Sequence, residues 1–230
     1  MKIIFDHING FGKVSDQDFI YSQPHGVLEP GETEADALAN GWIPWDGDWY
    51  NLRSVRIDLS AYKPHETTRK LARLVDFMYE EFEDKLLYRH IYDLYCKHHG
   101  FERTITWQQL FTGDIISYSQ LGQVIGYSAV EVYDTAFVAT QFVWDYANPK
   151  LSLGKVAQMY ECEVAKMLGC THVYILGGYE KCCLYKSDFY GFEWWTGTEW
   201  STDKELYKKL CLRDEAAIVT YDDSDLRTEQ

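Results

Sequence analysis

GYSAVEVYDTAFVATQFVWDYANPKLSLGKVAQMYECEVAKMLGCTHVYILGGYEKCCLYKSDF, residues 126–189, carries the pattern from which the fold follows. Two β-type runs come first, at 127–133 and 136–144, rich in branched and aromatic residues. Asp145, Asn148 and Pro149 predict a turn, after which Ser152-Leu153-Gly154 opens a helix. In that helix Val156, Met159, Tyr160, Val164, Met167 and Leu168 recur at helical spacing and predict one apolar face. Gly169 stands where a left-handed C-cap belongs. Residues 172–176 form a short β-branched and aromatic run suited to a buried strand. The order is strand, strand, helix, strand, with a glycine-containing loop at the helix mouth. It predicts an α+β protein, a mixed sheet flanked by helices.

That order resembles the acyl-transferase core of the GNAT-like fold. More closely, the stretch resembles the C-terminal domain of the arginyl-tRNA–protein transferases and their bacterial leucyl-transferring relatives. The residues that carry the resemblance are Val132-Tyr133-Asp134, Phe142-Val143-Trp144-Asp145 and Ser152-Leu153-Gly154, then Glu163, Leu168-Gly169, the run VYILGGY at 173–179, and Tyr185, Lys186 and Phe189. It resumes upstream at Val55-Arg56-Ile57, Tyr62, Pro64 and Arg69-Lys70-Leu71. One departure stands out. The family places several cysteines before VRI, tied to metal or haem chemistry, whereas this chain has Asn51-Leu52-Arg53-Ser54 there and no cysteine before Cys96. No metal cluster and no cofactor are expected.

The resemblance implies transfer of an amino acid from aminoacyl-tRNA to an amine, a protein or peptide N-terminus foremost, a small amine being the other acceptor, in the cytoplasm. Such chemistry requires a neutral amine, an ester carbonyl within reach and a stabilised oxyanion. An α-amine, with a pKa of about 7.7–8, is already partly neutral, and holding two substrates together supplies much of the rest. On the resemblance, Asp134, Glu131 and Tyr179 are the catalytic candidates. Ser152, Leu153, Gly154, Lys155, Tyr185 and Lys186 would bind the donor, at the acceptor end of the tRNA, and Asp145 and Glu163 would face the acceptor.

Each of these has a plainer alternative. Asp134 either orients or deprotonates the amine or shapes a hairpin turn, and period two leaves the face of Glu131 open. Asp145 meets substrate or caps the turn, and Glu163 lines a cleft or is solvated. Residues 152–154 offer backbone N–H groups to an anion. CoA-binding loops on this fold are richer in glycine and basic residues, whereas this one has a single glycine beside Lys150 and Lys155. A donor other than CoA is therefore favoured. An acyl-CoA-dependent N-acyltransferase is the second reading, and a non-catalytic protein that binds termini is the third. Lys186 would face the 3′ end of the tRNA, with Tyr185 stacking on or hydrogen-bonding to its last nucleotide.

Composition sets the bounds. At 230 residues with 46% hydrophobic content the chain holds one domain of ordinary size plus a small appendage. The expected division is a small N-terminal subdomain at 1–66 and a GNAT-like transferase domain at 67–230. No run resembles a membrane span, and Asp6 breaks the apolar start, against a signal peptide. Six cysteines without regular spacing do not form a disulfide framework. The net charge of −14 is awkward for a protein that grips tRNA. Arg53, Arg56, Lys63, Arg69, Lys70 and Arg73 either form a local basic strip or lie on a solvated face.

Elsewhere, residues 1–31 read as irregular and 32–40 as a short acidic-first helix. A strand is expected at 75–81 and a helix at 84–99 whose buried face holds Leu87, Ile91, Leu94 and Tyr95. His98 and His99 close its last turn in a structural role. A helical turn is expected at 107–111 and three antiparallel strands over 114–144, joined near Gly122 and Asp134. The tail predicts an aromatic loop at 192–200, a helix at 204–210, a last strand at 217–221 and a frayed end.

Overall fold

The computed structural model describes residues 1–6, 24–45, 47–51, 53–83, 86–100, 113–177 and 181–220. In chain order the elements are β1 (Lys2–Asp6), β2 (Pro24–Val27), α1 (Glu34–Ala39), β3 (Trp42–Trp45), β4 (Asp48–Asn51), β5 (Val55–Asp58) and α2 (Glu66–Ala72). There follow β6 (Asp76–Glu81), α3 (Leu86–His99), β7 (Asp114–Gln120), β8 (Gln123–Tyr133) and β9 (Ala136–Trp144). The chain ends with α4 (Leu153–Met167), β10 (His172–Tyr174), β11 (Phe192–Trp195), β12 (Trp200–Ser201) and α5 (Lys204–Thr220). Two compact units result, Met1–Ile57 with Leu176–Gln230, and Asp58–Ile175.

The second unit is a mixed α+β layer structure with strand order β10-β9-β8-β7-β6. Strands β6 to β9 form an antiparallel meander, and β10 joins β9 in parallel. This is the GNAT-like arrangement the sequence predicts. Alternation along the strands sends successive side chains to opposite faces. Ile115, Tyr127, Ala129 and Val143 meet Tyr88, Ile91, Tyr92 and Cys96 of α3 in one buried cluster. The opposite face takes α4, with Val156, Met159, Tyr160 and Val164 all buried. The stripe ends there: Met167 is 80% exposed and Leu168 44%. The buried face of α3 is likewise turned from the expected one, since Leu87 is exposed and Leu94 and Tyr95 are only partly covered. Helix α4 closes with Gly169 at φ 77°, and Cys170 N–H donates back to Ala165 O at 2.9 Å.

A polar network lies inside the α4 face. Glu161 is 3% exposed, and its carboxylate accepts from Ser128 Oγ at 2.6 Å, which in turn lies 2.8 Å from the Tyr118 hydroxyl. Burial pushes the Glu161 carboxyl up to about 7, against a lesser opposite pull from Ser128. Burial also holds the Tyr118 phenol well above its ordinary range. Tyr160, on the same helix, ties α4 to the segment after α2, its hydroxyl 2.8 Å from the carbonyls of Ala72 and Val75.

The first unit holds a four-stranded antiparallel sheet, β1-β2-β4-β3, and the antiparallel run β12-β11-β5. Strands β1 and β2 replace part of the irregular start read from the sequence. Thr33 and Asp36 form a capping box that begins α1. Gly41, at φ 76°, lies flat against the Trp195 ring, where a Cβ would come within 2.3 Å of it. The expected aromatic loop is the β11–β12 hairpin, and the expected last strand at 217–221 is the end of α5 as far as Thr220. The turn expected at 107–111 and the tail at 222–230 lie outside the described residues. Arg53 is buried, and Arg56 pairs with Glu193 at 2.7 Å beneath the Trp200 ring, 4.1 Å away. These two arginines therefore serve the fold rather than a solvated basic strip.

The Glu161 carboxyl yields a pH prediction. Its folded pKa of about 7 stands above the ordinary 4.5. Its contribution is therefore fully present below about pH 4.5 and is lost as pH rises through 7, on the order of 3 kcal/mol. Urea melts at pH 5 and pH 8 should show this loss, and Glu161→Gln should flatten it.

Candidate active site

Strand β9 is paired unequally on its two edges. Toward β8 it is bonded along its whole length, from Ala136 opposite Tyr133 to Trp144 opposite Gly126. Toward β10 the pairing covers only Ala136, Phe137 and Val138, which lie opposite His172, Val173 and Tyr174. β10 is paired over all three of its residues and ends at Tyr174, and β9 runs on for six residues beyond Val138 with that edge unpaired by β10. Just past the end of β10, β9 also bulges: Val130 faces Ala139 and Ala129 faces Gln141, leaving Thr140 as the extra residue. The Thr140 hydroxyl donates to Ala129 O at 3.1 Å. A bulge of this kind bends the strand and re-aims its groups. Thr140, Gln141 and Phe142 are half-buried there. A carbonyl laid along that edge would meet main-chain N–H groups already in place.

The helix start closes the open end. Pro149–Leu151 makes a short 3-10 turn, and Ser152 follows in the left-handed region at φ 47°. Ser152 O accepts from Lys155 and Val156 N–H, but its side chain does not cap the helix. Gly154, half-buried, is the first-turn residue whose N–H stands nearest solvent without donating to Ser152 O, with the positive end of the helix dipole behind it. Lys150, Ser152 and Lys155 are exposed around it. Leu153 is fully buried, backbone included, so it serves packing. A Cβ on Gly154 would lie 3.5 Å from the Phe142 ring, an ordinary contact. Asp145 sits at the same end, half-buried, with Oδ1 accepting from Ala147 N–H at 2.9 Å.

Asp134 and Glu131 lie at the other end of the hairpin. Asp134 is exposed and takes φ 52° as the first of two turn residues between β8 and β9. Glu131 accepts from the Tyr133 hydroxyl and lines a cavity of about 540 Å³ with Tyr79, Asp114, Val130, Val132 and Leu168. The Tyr79 hydroxyl donates to Asp114 in the same wall. From Ala136 to Trp144 the strand spans about 26 Å. Asp134 thus lies about that far along the strand from Trp144, whereas Glu131 stands opposite Val138, two residues from the bulge. Glu163 is exposed on α4, about 15 Å along the axis from Leu153. Partial burial raises its carboxyl, with Lys166 opposing.

The remaining candidates belong to the first unit. Tyr185 is 49% exposed and meets Phe189 edge-on. Lys186 is buried, and its Nζ donates to Gly177 O at 3.2 Å, so it fastens backbone. Tyr179 lies outside the described residues. Among the described residues no three His, Cys, Asp or Glu converge as metal ligands, and no helix is long and apolar enough to cross a membrane.

Three features escaped the sequence reading. Glu161 falls on the apolar stripe, three residues before Val164 and four after Ala157, and that position could have flagged it. The bulge at Thr140 has no sequence signal, because register is a property of the pair of strands. Tyr146, with φ 56°, gathers His98 and His99 around it, and only the histidines were noticed.

Comparison with known proteins bears on all of this. A family model described as arginine-tRNA-protein transferase, C terminus, matches residues 75–196. The aspartate/glutamate leucyltransferase of Chromohalobacter salexigens is 31% identical over 166 residues, covering 64% of this chain and 67% of that protein. Among solved structures, the C-terminal domain of a protein assigned as a lysylphosphatidylglycerol synthetase from Agrobacterium fabrum is 12% identical with a TM-score of 0.46. That match covers 54% of this chain and 46% of the other. A GCN5-related glucosamine N-acetyltransferase region of a fungal multi-domain β-N-acetylglucosaminidase is 15% identical with a TM-score of 0.42, covering 74% of this chain and 23% of that one. The chain thus spans less than half the length of either solved chain. The family model covers more than half of the 230 residues, and the curated relative agrees with it. This chain belongs to the arginine-tRNA-protein transferase family, a family of aminoacyl-tRNA-dependent transferases.

Proposed function

We propose that the protein moves an aminoacyl group from the 3′ end of an aminoacyl-tRNA to an amine, with a protein or peptide N-terminus as the acceptor. The observation that carries this reading is the edge of β9 that runs past the end of β10 beyond Val138, with the bulge at Thr140 and the uncapped start of α4 at its far end. The ester carbonyl lies against the bulged strand, and a terminal phosphate of the donor meets the Gly154 N–H at the positive end of α4. Lys150 and Lys155 add charge at that one place. This suits a chain of net charge −14, which is poorly built to hold a whole tRNA. Asp145, at the same end, takes the acceptor's ammonium. Asp134 shapes its turn. The functional division into an N-terminal subdomain at 1–66 and a transferase domain at 67–230 belongs to the same reading.

Incubation with total tRNA charged with labelled amino acids, beside labelled acetyl-CoA, tests the donor. Label should pass to a peptide amine from one or a few charged tRNAs and not from acetyl-CoA. Transfer from acetyl-CoA alone would establish the other donor, and transfer from neither would leave a terminus-binding protein.

Gly154→Asp separates donor binding from folding. A carboxylate in the first turn of α4 favours the helix by about 0.3–1 kcal/mol, and the contact at Phe142 leaves room for it. Melting temperature should hold or rise while KM for charged tRNA climbs at least tenfold, through repulsion of the phosphate. Asp134→Asn, which tolerates the left-handed turn, should leave turnover within about twofold of wild type. A loss on the order of 10² would return the proton transfer to that end of the hairpin.

A further inference from the structure

We infer that the tip of the β7–β8 hairpin is a second contact for the donor, where Leu121 takes the flat face of a base at the point where the unpaired 3′ end of the tRNA joins its stem. This rests on the aminoacyl-transfer reading and names the part of the donor that lies beyond its terminal phosphate. Leu121 and Gly122 alone join the two strands, with Gln120 opposite Gln123. Both turn residues take positive φ, 52° and 79°. A turn of that form accepts Asn-Gly or Asp-Gly most readily. A bulky side chain in the left-handed region is a form of strain found at functional sites. Nothing in the protein offsets it, since Leu121 is 97% exposed and gains no packing. A singly exposed leucine is ordinary, but neither the turn nor the core accounts for one that is both strained and uncovered.

The tip stands where a donor held at the start of α4 would leave the protein. A Cβ placed on Gly126 would meet Trp144 Cβ at 2.8 Å and Leu153 Cδ2 at 3.0 Å, so β8, the end of β9 and the first residue of α4 converge on one point. One residue further out, Asp145 N–H donates to Ile125 O at 3.0 Å. From Gly126 to Gly122 the hairpin then runs on for about 13 Å. Tyr118 faces Gly126 and Ser119 faces Val124, leaving Ile125 as an extra residue, and such a bulge bends what lies beyond it. At about 3.4 Å per stacked nucleotide, 13 Å is roughly four nucleotides, the length of the unpaired 3′ end of a tRNA. With the terminal phosphate at Gly154, beside Leu153, the first base pair of the stem comes level with the tip.

The chemistry of the tip suits a base rather than a phosphate. Residues 115–130 carry no charged side chain, in a chain of net charge −14, so this projection neither repels a polyanion nor offers it a cation. An apolar side chain set against stacked bases is a known device of nucleic-acid-binding proteins, and every base presents a face for it. Gln120 and Gln123 flank the leucine with amides that donate and accept, as base edges and 2′-hydroxyls require. A second copy of this chain is a poor occupant, because two bodies of the same large negative charge repel.

Leu121→Asn separates the contact from folding, because asparagine suits the left-handed turn better than leucine does. Its melting temperature should hold or rise. KM for charged tRNA should climb about tenfold, the lower end of what burying a leucine side chain contributes, with turnover at saturation unchanged. KM for an aminoacylated cytidylyl-cytidylyl-adenosine trinucleotide, which has no stem, should stay within about twofold of wild type. The slope of log affinity for tRNA on log salt should also stay at the wild-type value, because no phosphate contact is lost. A wild-type KM for charged tRNA in Leu121→Asn would overturn the contact. An equal rise with the trinucleotide would overturn its placement at the stem, and a shallower salt slope would overturn the base as its occupant. A wild-type protein that transfers from no charged tRNA would overturn the aminoacyl reading and the contact with it.

Discussion

The structure turns on the unequal pairing of β9. One edge is committed to β8 from end to end, while the other is bonded to β10 over three residues only. Two parallel strands need a crossover between them, and here it is α4 with its entry turn. The crossover brings a helix start, with the positive end of its dipole, to the far end of the edge that β10 leaves unpaired. An open strand edge with main-chain donors and a positive helix end beyond it thus results from a single topological step. Acyl transfer needs little else from a protein, because an ester and an amine held together react through positioning and oxyanion stabilisation.

The buried network of Glu161, Ser128 and Tyr118 lies beside that edge. Ser128 sits opposite Phe142, next to the bulge at Thr140. A carboxyl in such a place is costly, and burial raises it to about 7. Its hydrogen bond to Ser128 links the middle of α4 to the middle of β8, so the helix cannot slide along the sheet without leaving a buried polar group unmatched. The helix start is thereby kept in register with the strand edge.

Much of this was legible in the residues. The alternation over 114–144, the turn at Asn148 and Pro149, the helical stripe from Val156 and the glycine after Leu168 each name one element by local pattern, and the family resemblance gave their order. What failed was decided by neighbours. Leu94 and Tyr95 match the apolar spacing of α3 as well as Tyr88 and Tyr92 do, and only the sheet beneath the helix selects between them. Residues 192–201 became a hairpin and 217–220 the end of a helix through pairing and helix continuation that local propensity does not record. Within the site, residue types were easier to read than distances. Asp134 and Gly154 both match the family, yet a nine-residue strand stands between the turn of one and the helix of the other, and sequence order alone does not measure it.

The most direct measurement is photocrosslinking from the 3′-terminal adenosine of a charged tRNA carrying an azido base, with the attached peptide identified by mass spectrometry. The expected attachment is to residues 139–156, from the bulge of β9 through the first turn of α4. Attachment confined to residues 131–135, at the Asp134 end of the hairpin, would contradict the placement of the donor along the open edge of β9.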